Sequence, residues 1–253
     1  MSLLFARVGG INLLGMVARF AENAGKYWDK FYKQNSNHFF KDRHWIHREW
    51  PVLMEASESP RVVAELGCGT GSTIFPLLKS NPLLRFYAVD FAKSALQLIE
   101  DHPNYDENLI TIVQADLTRD ALDSSIPPAS VDIVTLIFVL SAMTPQQMDY
   151  AITNVFTILK PGGLVLFRDY VAEDVVCRDR FSQINRLDDR LFVRTDGTQS
   201  YFFQKSELEA LFHRHNFQTL QLHHKDKEVV NRSTKQAFDR TWLQGTFVKH
   251  VDS

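Results

Sequence analysis

The sequence predicts an α/β fold: a mostly parallel, doubly wound seven-stranded sheet with helices on both faces and an antiparallel final strand. Three observations carry this. Short apolar, β-branched runs alternate with helical segments from Arg61 to Phe167. A turn with glycines at alternate positions follows the first of those runs. Two further strand-like runs, Phe217 to His223 and Thr241 to Val248, close the chain as an antiparallel pair. Alternation of strand and helix is the pattern of a parallel sheet covered on both sides.

The first run begins at Arg61-Val62-Val63 and leads through Glu65 into Gly67, Gly69 and Gly71. Its continuous apolar character fits a strand buried on both faces. Ser72 to Leu78 opens a helix despite Pro76, and Leu83 to Val89 forms the second strand, ending at Asp90. Ala92 to Asp101 is helical, and Leu109 to Ala115 is the third strand, ending at Asp116. A polar connection, Thr118 to Ser130, carries Pro127-Pro128. Val131 to Leu140, the most apolar run, is the fourth strand, and Pro145 to Leu159 is a helix. Lys160-Pro161-Gly162-Gly163 reads as a turn before the fifth strand, Leu164 to Phe167. A charged stretch, Ala172 to Arg194, precedes a turn at Thr195 to Thr198, the apolar Tyr201-Phe202-Phe203 and a helix from Lys205 to His215. Many of its arginines suit a solvated helix face.

A strand, a glycine turn and a helix make a nucleotide-binding element. The glycines let the turn tighten and the backbone approach a ligand. Their spacing is G-x-G-x-G, one residue tighter than the dinucleotide fingerprint, and Glu65 stands two positions before the first glycine. Asp90 lies 19 residues after Gly71, a fitting interval for a carboxylate that accepts hydrogen bonds from both ribose hydroxyls. The plainer reading of Asp90 is a cap for the following helix. Asp116, ending the next strand, suits an exocyclic adenine amine, with Leu117 beside the ring. Ile137 sits where the fourth strand emerges at the same edge and packs on the ligand.

Composition bounds the rest. The chain has 253 residues, 45% of them hydrophobic and 23% charged, the range of an ordinary globular protein. Two cysteines, Cys68 and Cys177, are too few for a disulfide framework and fit a reducing compartment. A net charge of −2 is not the global signature of a nucleic-acid binder, which leaves a local basic face as the alternative. No apolar run approaches the ~18 residues needed to span a bilayer. Three regions follow: residues 1–24, a tail, short helix or targeting segment; 25–55, an aromatic and basic lid; and 56–253, the main domain. In the lid, Trp28, Phe31 and Tyr32 share one helix face, either packed on the core or closing over a flat ligand. His44 and His47 have metal-like spacing but no third ligand, so no metal is expected.

The glycine turn with Glu65 resembles the first motif of class I S-adenosylmethionine-dependent methyltransferases. Longer segments are more specific. Trp28 to Tyr32, Asn37 to Trp45, Leu136 to Ala142, Phe167-Arg168-Asp169-Tyr170 and Asp196 to Phe203 resemble tRNA N3-methylcytidine methyltransferases, over about residues 27 to 249. The resemblance implies S-adenosylmethionine as cofactor and a Rossmann-like methyltransferase fold. It places Trp28 and Tyr32 over the ligand, Glu65, Gly67 and Gly69 at the methionine portion, Asp90 and Phe91 at the ribose, Asp116 and Leu117 at the adenine, and Ile137 alongside. It implies tRNA as substrate, with cytidine 32 of the anticodon loop as target. Lys41, Arg43, His44, Trp45, Arg168, Arg180 and Arg194 are then the residues expected at RNA. A tRNA-bound helper, such as seryl-tRNA synthetase, is implied as a partner. The compartment implied is cytoplasm or nucleus, with mitochondria as the alternative from the N-terminal segment. One departure stands out: Gln199 follows Asp196-Gly197-Thr198, where the family usually carries arginine.

The chemistry is undemanding in one respect. The N3 lone pair of cytosine is free at neutral pH, so no general base is obligatory. Catalysis then rests on alignment, worth ~7–11 kcal/mol in favourable cases. The product is a cation, which a carboxylate stabilises. Asp169, beside Arg168, is the residue expected there, its alternative being an ion pair with that arginine. Because N3 lies on the pairing edge, the target must be unpaired or flipped. Two other readings remain: a methyltransferase for a small molecule or protein, and an inactive cofactor-binding partner subunit.

Overall fold

A computed structural model describes residues 13–35, 41–55, 57–174, 186–230 and 237–251. Two helices lead the chain, α1 (Leu13–Glu22) and α2 (Ala24–Asn35), followed by a short α3 (Ile46–Glu49). The core then runs β1 (Arg61–Leu66), α4 (Ile74–Ser80), β2 (Leu84–Asp90), α5 (Lys93–Glu100), β3 (Ile110–Gln114), β4 (Val131–Ile137), α6 (Pro145–Ile158) and β5 (Leu159–Tyr170). A small hairpin, β6 (Leu191–Val193) and β7 (Gln199–Tyr201), precedes α7 (Lys205–His213), β8 (Phe217–Val230) and β9 (Ala237–Lys249). The seven-stranded sheet has the order β3-β2-β1-β4-β5-β9-β8. Its first five strands are parallel, while β9 runs antiparallel to both β5 and β8.

Strand alternation builds a core on each face. Ala64, Leu66, Val134, Leu136, Val165 and Phe167 point to the side covered by α6 and α7. Val63, Phe86, Ala88, Ile133 and Leu166 point to the side covered by α4, α5 and the α3 segment. Local signals set the helix starts. Thr144 accepts from the Gln147 amide at 3.4 Å while its own amide donates to Gln147 Oε1 at 2.9 Å, a reciprocal cap with Pro145 in the first turn of α6. Pro76 is tolerated because it falls in the first turn of α4, where its missing N–H has no partner to lose.

Three expectations change. Residues 160–163 do not separate helix from strand as a free turn; they bulge within β5, between the pairs Val131–Leu159 and Ile133–Leu164. The fourth strand stops at Ile137 because Phe138 adopts a left-handed φ of 61°, turning the chain into a 3₁₀ turn at Leu140–Ala142. The closing strands are longer than expected, running to Val230 and starting at Ala237. The turn at 195–198 joins β6 to β7. In the N-terminal region, Met16, Val17 and Phe20 of α1 pack against the core. Among the described residues no helix is long and apolar enough to cross a membrane, and no group of three or more histidine, cysteine or acidic side chains is placed to hold a metal.

Candidate active site

The site lies at the carboxyl ends of β1, β2, β3 and β4, where an open parallel sheet leaves a crevice. It is one cleft in two parts that share Trp28, Tyr32, Gly67, Phe138 and Ala142.

The first part is lined by Asp90, Phe91, Asp116 and Leu117 from the ends of β2 and β3. Asp90 is held by two backbone donors: Gly69 N–H gives to Oδ2 and Ala92 N–H to Oδ1, each at 2.9 Å. It therefore clamps the glycine turn and holds the chain entering α5, two residues ahead of the N-cap at Ala92, while lining the cleft. Burial pushes its carboxyl up to about 6, against the pull of those amides. Asp116 Oδ1 accepts from the Thr118 amide at 3.0 Å and hydroxyl at 2.6 Å, and Oδ2 pairs with Arg119 at 2.9 Å. Opposite them, Ala21, Ala24, Trp28 and Tyr32 come from α1 and α2. The strap is pinned by Asp29, which accepts from the Ser94 amide with its side chain and from the Ser94 hydroxyl with its carbonyl, both at 3.0 Å.

The glycines are needed here for space as well as conformation. A Cβ on Gly67 would meet Val139 at 2.7 Å, and one on Gly69 would meet the Tyr32 hydroxyl at 2.7 Å. Both residues have left-handed φ, 65° and 53°. Trp28 packs against Phe31 and Tyr32, with ring centres 5.4 and 5.9 Å away, so the aromatic face serves core and cleft together.

The second part is aromatic and cationic. Trp45, Phe138, Tyr170 and Trp242 supply ring surfaces, and Lys41, Arg43, Arg194 and Arg240 supply charge. Ile137 lines this half rather than the first. Arg194 donates to the Tyr170 hydroxyl at 2.9 Å, fixing that ring beside Phe138, 5.3 Å away. Arg240 and Trp242 are two apart in β9 and so face the same side. Neither was singled out from the sequence, although an Arg-x-Trp at strand spacing was the available signal. Ser141, Tyr170 and Gln199 also line this half.

Several expected residues take other places. Glu65 does not line the cleft; it is 1% exposed beneath the turn, with Oε1 3.6 Å from Arg43. Burial raises its carboxyl to about 7, and the arginine opposes that shift. Arg43 meets the cleft but is tied to the glycine turn: its amide donates to Ser72 O at 2.8 Å and Nη1 to the Thr73 hydroxyl at 3.0 Å. Burial lowers its pKa. Arg168 and Asp169 do not pair. As neighbours on a strand they point to opposite sides. Arg168 stacks 3.7 Å from the Trp45 ring centre, with Gln244 Oε1 at 2.8 Å from Nε and Glu49 at 3.5 Å. Asp169 is fully buried behind the wall, accepting from the amides of Ser141 and Tyr170 at 2.9 Å each. Burial raises its carboxyl to about 6. His44 is exposed, 3.9 Å from Asp42. Arg180, Cys177 and residues 37–40 lie outside the described residues. Cys68 is buried, which pushes its thiol well up and leaves it a packing residue.

Comparison with known proteins agrees with this geometry. A family described as a methyltransferase domain matches residues 64–165. A solved methyltransferase structure from Methanosarcina mazei superposes with a TM-score of 0.64 at 17% identity, covering 80% of this chain and 99% of its own, which bears on fold alone. The human tRNA N(3)-cytidine methyltransferase METTL6 is 41% identical over 90% of this chain and 81% of its own length. The tRNA N(3)-methylcytidine methyltransferase trm141 of Schizosaccharomyces pombe is 35% identical over 92% of this chain and 95% of its own. A crevice at the switch point of the sheet, a methyltransferase fold and this degree of identity over nearly the whole length leave one conclusion: the chain belongs to the tRNA N(3)-cytidine methyltransferase family.

Proposed function

We propose that the protein uses S-adenosylmethionine to methylate N3 of an unpaired cytidine in tRNA, at position 32 of the anticodon loop. The observation that carries this is the division of one cleft into an acid-edged half and an aromatic, cationic half that meet at Gly67, Trp28 and Tyr32. The first half fits the cofactor by its donor set. Asp90 has oxygen lone pairs left for two ribose hydroxyls, Asp116 and Leu117 close the far end for the adenine, and the side-chain-free turn at Gly67 and Gly69 admits the methionine portion. Once bound, the cofactor supplies an electrophilic methyl group on sulfur.

The second half is suited to the base. Tyr170, Phe138 and Trp242 offer ring faces for a nucleobase out of its stack, and Lys41, Arg194 and Arg240 offer charge to the flanking phosphates. Its position sets the base beside Gly67, where the halves join. N3 would use its own lone pair to take the methyl group that the bound cofactor would supply, so the chain's residues have no proton to remove from the base. The chain's residues therefore align, exclude water and accommodate a growing positive charge. Asp169 acts here as a positioning residue: its carboxylate fixes the Ser141 amide and Tyr170 at the wall, and its charge favours the cationic product. Arg168 acts from further away by holding Trp45 at the rim.

A relative in Saccharomyces cerevisiae, 38% identical over 89% of this chain, is named as a tRNA(Thr) (cytosine(32)-N(3))-methyltransferase, which supports position 32. A reaction on RNA fits the cytoplasm or nucleus. The test is methyl transfer from labelled S-adenosylmethionine to total tRNA, with and without seryl-tRNA synthetase, read by nucleoside mass spectrometry. Appearance of 3-methylcytidine is the expected result. Calorimetric binding of the cofactor with no methylated tRNA in either arm would sink the substrate assignment and favour a small-molecule or protein substrate, or a partner subunit.

A further inference from the structure

Gln199 stands in β7 opposite Val193 and is one of the residues lining the aromatic, cationic half of the cleft. It is 3% exposed, and neither Oε1 nor Nε2 has a hydrogen-bond partner among the described residues. A buried carboxamide without partners destabilises the fold, so packing does not account for it. Its neighbours along the wall sharpen the point. The charged side chains lining this half, Lys41, Arg43, Arg194 and Arg240, carry donors and no acceptor. Asp169, behind the wall, already accepts from two backbone amides.

A cytosine presents N3 flanked by a carbonyl, O2, and an exocyclic amine, N4. The cleft's donors match the carbonyl; the amine requires an acceptor. We propose that Gln199 is that acceptor, its Oε1 taking a hydrogen bond from the amine of the target cytosine, which makes it a specificity-determining residue for the base. The assignment rests on the tRNA-cytidine reading given above. As the new nitrogen–carbon bond forms at N3, positive charge spreads to the amine and its N–H becomes a stronger donor. The hydrogen bond therefore tightens in the transition state and contributes to rate as well as to binding. Uracil places a carbonyl at the same point and a proton on N3, so it loses on both counts. An arginine at position 199 has no acceptor to offer, so this device belongs to chains that carry glutamine there.

The test pairs a change in the protein with a change in the substrate. Full-length wild type, Gln199→Leu and Gln199→Met are assayed in single turnover on tRNA with cytidine at the target position. The same assays use tRNA with pyrimidin-2-one riboside there, which keeps N3 and O2 and lacks the amine. On cytidine, both variants should lose about 10- to 100-fold in rate at saturating RNA, the loss of one transition-state hydrogen bond. On the amine-free base, variants and wild type should agree within about threefold, a coupling that a merely structural role would not produce. Because the variants remove an unsatisfied buried amide, their melting temperatures should equal or exceed wild type by about 2–4 °C. Equal losses on both substrates, unchanged rates on cytidine, or a lower melting temperature would overturn the assignment. Failure of wild type to methylate any tRNA cytidine overturns the reaction itself and this assignment with it, and is distinguished by the absence of wild-type product.

Discussion

Asp90→Asn separates the two roles proposed for this carboxylate, holding the glycine turn and binding a ribose. Each oxygen takes one backbone N–H at 2.9 Å, from Gly69 and from Ala92, which leaves each a second lone pair, and the residue lines the cleft. Asparagine has one oxygen and one NH₂, so one of the two amides meets a donor and is orphaned, costing about 1–3 kcal/mol. That loss is partly offset, because a charge whose pKa is raised to about 6 by burial is no longer buried. Stability should therefore change by no more than about 1–2 kcal/mol, roughly 2–8 °C in melting temperature. Ligand binding has no such offset. Two charge-assisted bonds to a ribose diol, about 1.5–3 kcal/mol each, give way to a single neutral one of about 1 kcal/mol. The net loss is about 2–5 kcal/mol, or roughly 30- to 4000-fold in affinity. Calorimetry with S-adenosylhomocysteine at pH 7.5, with melting curves for both proteins, measures each part. An affinity within threefold of wild type, with the fold intact, would refute the argument and leave Asp90 holding the glycine turn alone.

Acidification should move affinity and stability in opposite directions. Asp90 and Asp169 are both raised by burial to about 6, so S-adenosylhomocysteine affinity should hold above pH 7 and fall below pH 6 as Asp90 protonates. Since both folded values exceed the ordinary 3.8, the destabilisation from these two groups is fullest above pH 6 and is relieved as pH falls from 6 towards 4; a pH-independent affinity down to pH 5 would contradict this. Gly69→Ala should weaken cofactor binding by forcing a left-handed alanine against the Tyr32 hydroxyl, 2.7 Å away. Adding Tyr32→Phe should recover part of the loss, because the next atom of that ring lies 3.4 Å off; strict additivity in calorimetry would rule out the contact as the cause. Arg168→Leu removes the cation over Trp45 and one of the partners of Glu49, and should lower the melting temperature by about 4–8 °C, as for roughly 2 kcal/mol. An unchanged melting temperature would show that the stacked cation adds nothing.

The half of the site that the sequence discloses is the half made by consecutive residues. The glycine turn, Asp90 and Asp116 each sit at the end of a strand whose apolar pattern marks where it stops, so position along the chain gives position at the edge. The other half depends on pairings across the chain. β9 inserts between β5 and β8, and only that insertion brings Arg240 and Trp242 to Tyr170. Arg168 and Asp169 show the limit from another side. Their neighbouring numbers suggest shared work, yet strand alternation sends one to Trp45 and the other behind Ser141. Arg43 looks from sequence like an RNA contact, but its backbone and guanidinium are spent on the glycine turn. Gln199 was visible as a departure from the family pattern; that its amide is buried and unpartnered needed the hairpin in place.

The insertion of β9 also ties distant parts of the chain together. Trp50 donates to the Thr246 hydroxyl at 3.1 Å, and Gln244 donates to Glu49 at 3.2 Å, so the segment ahead of β1 is latched by the strand that pairs with β5. Any change that pulls β9 from the sheet therefore withdraws Trp242 from Tyr170 and unties the segment ahead of β1 in one step.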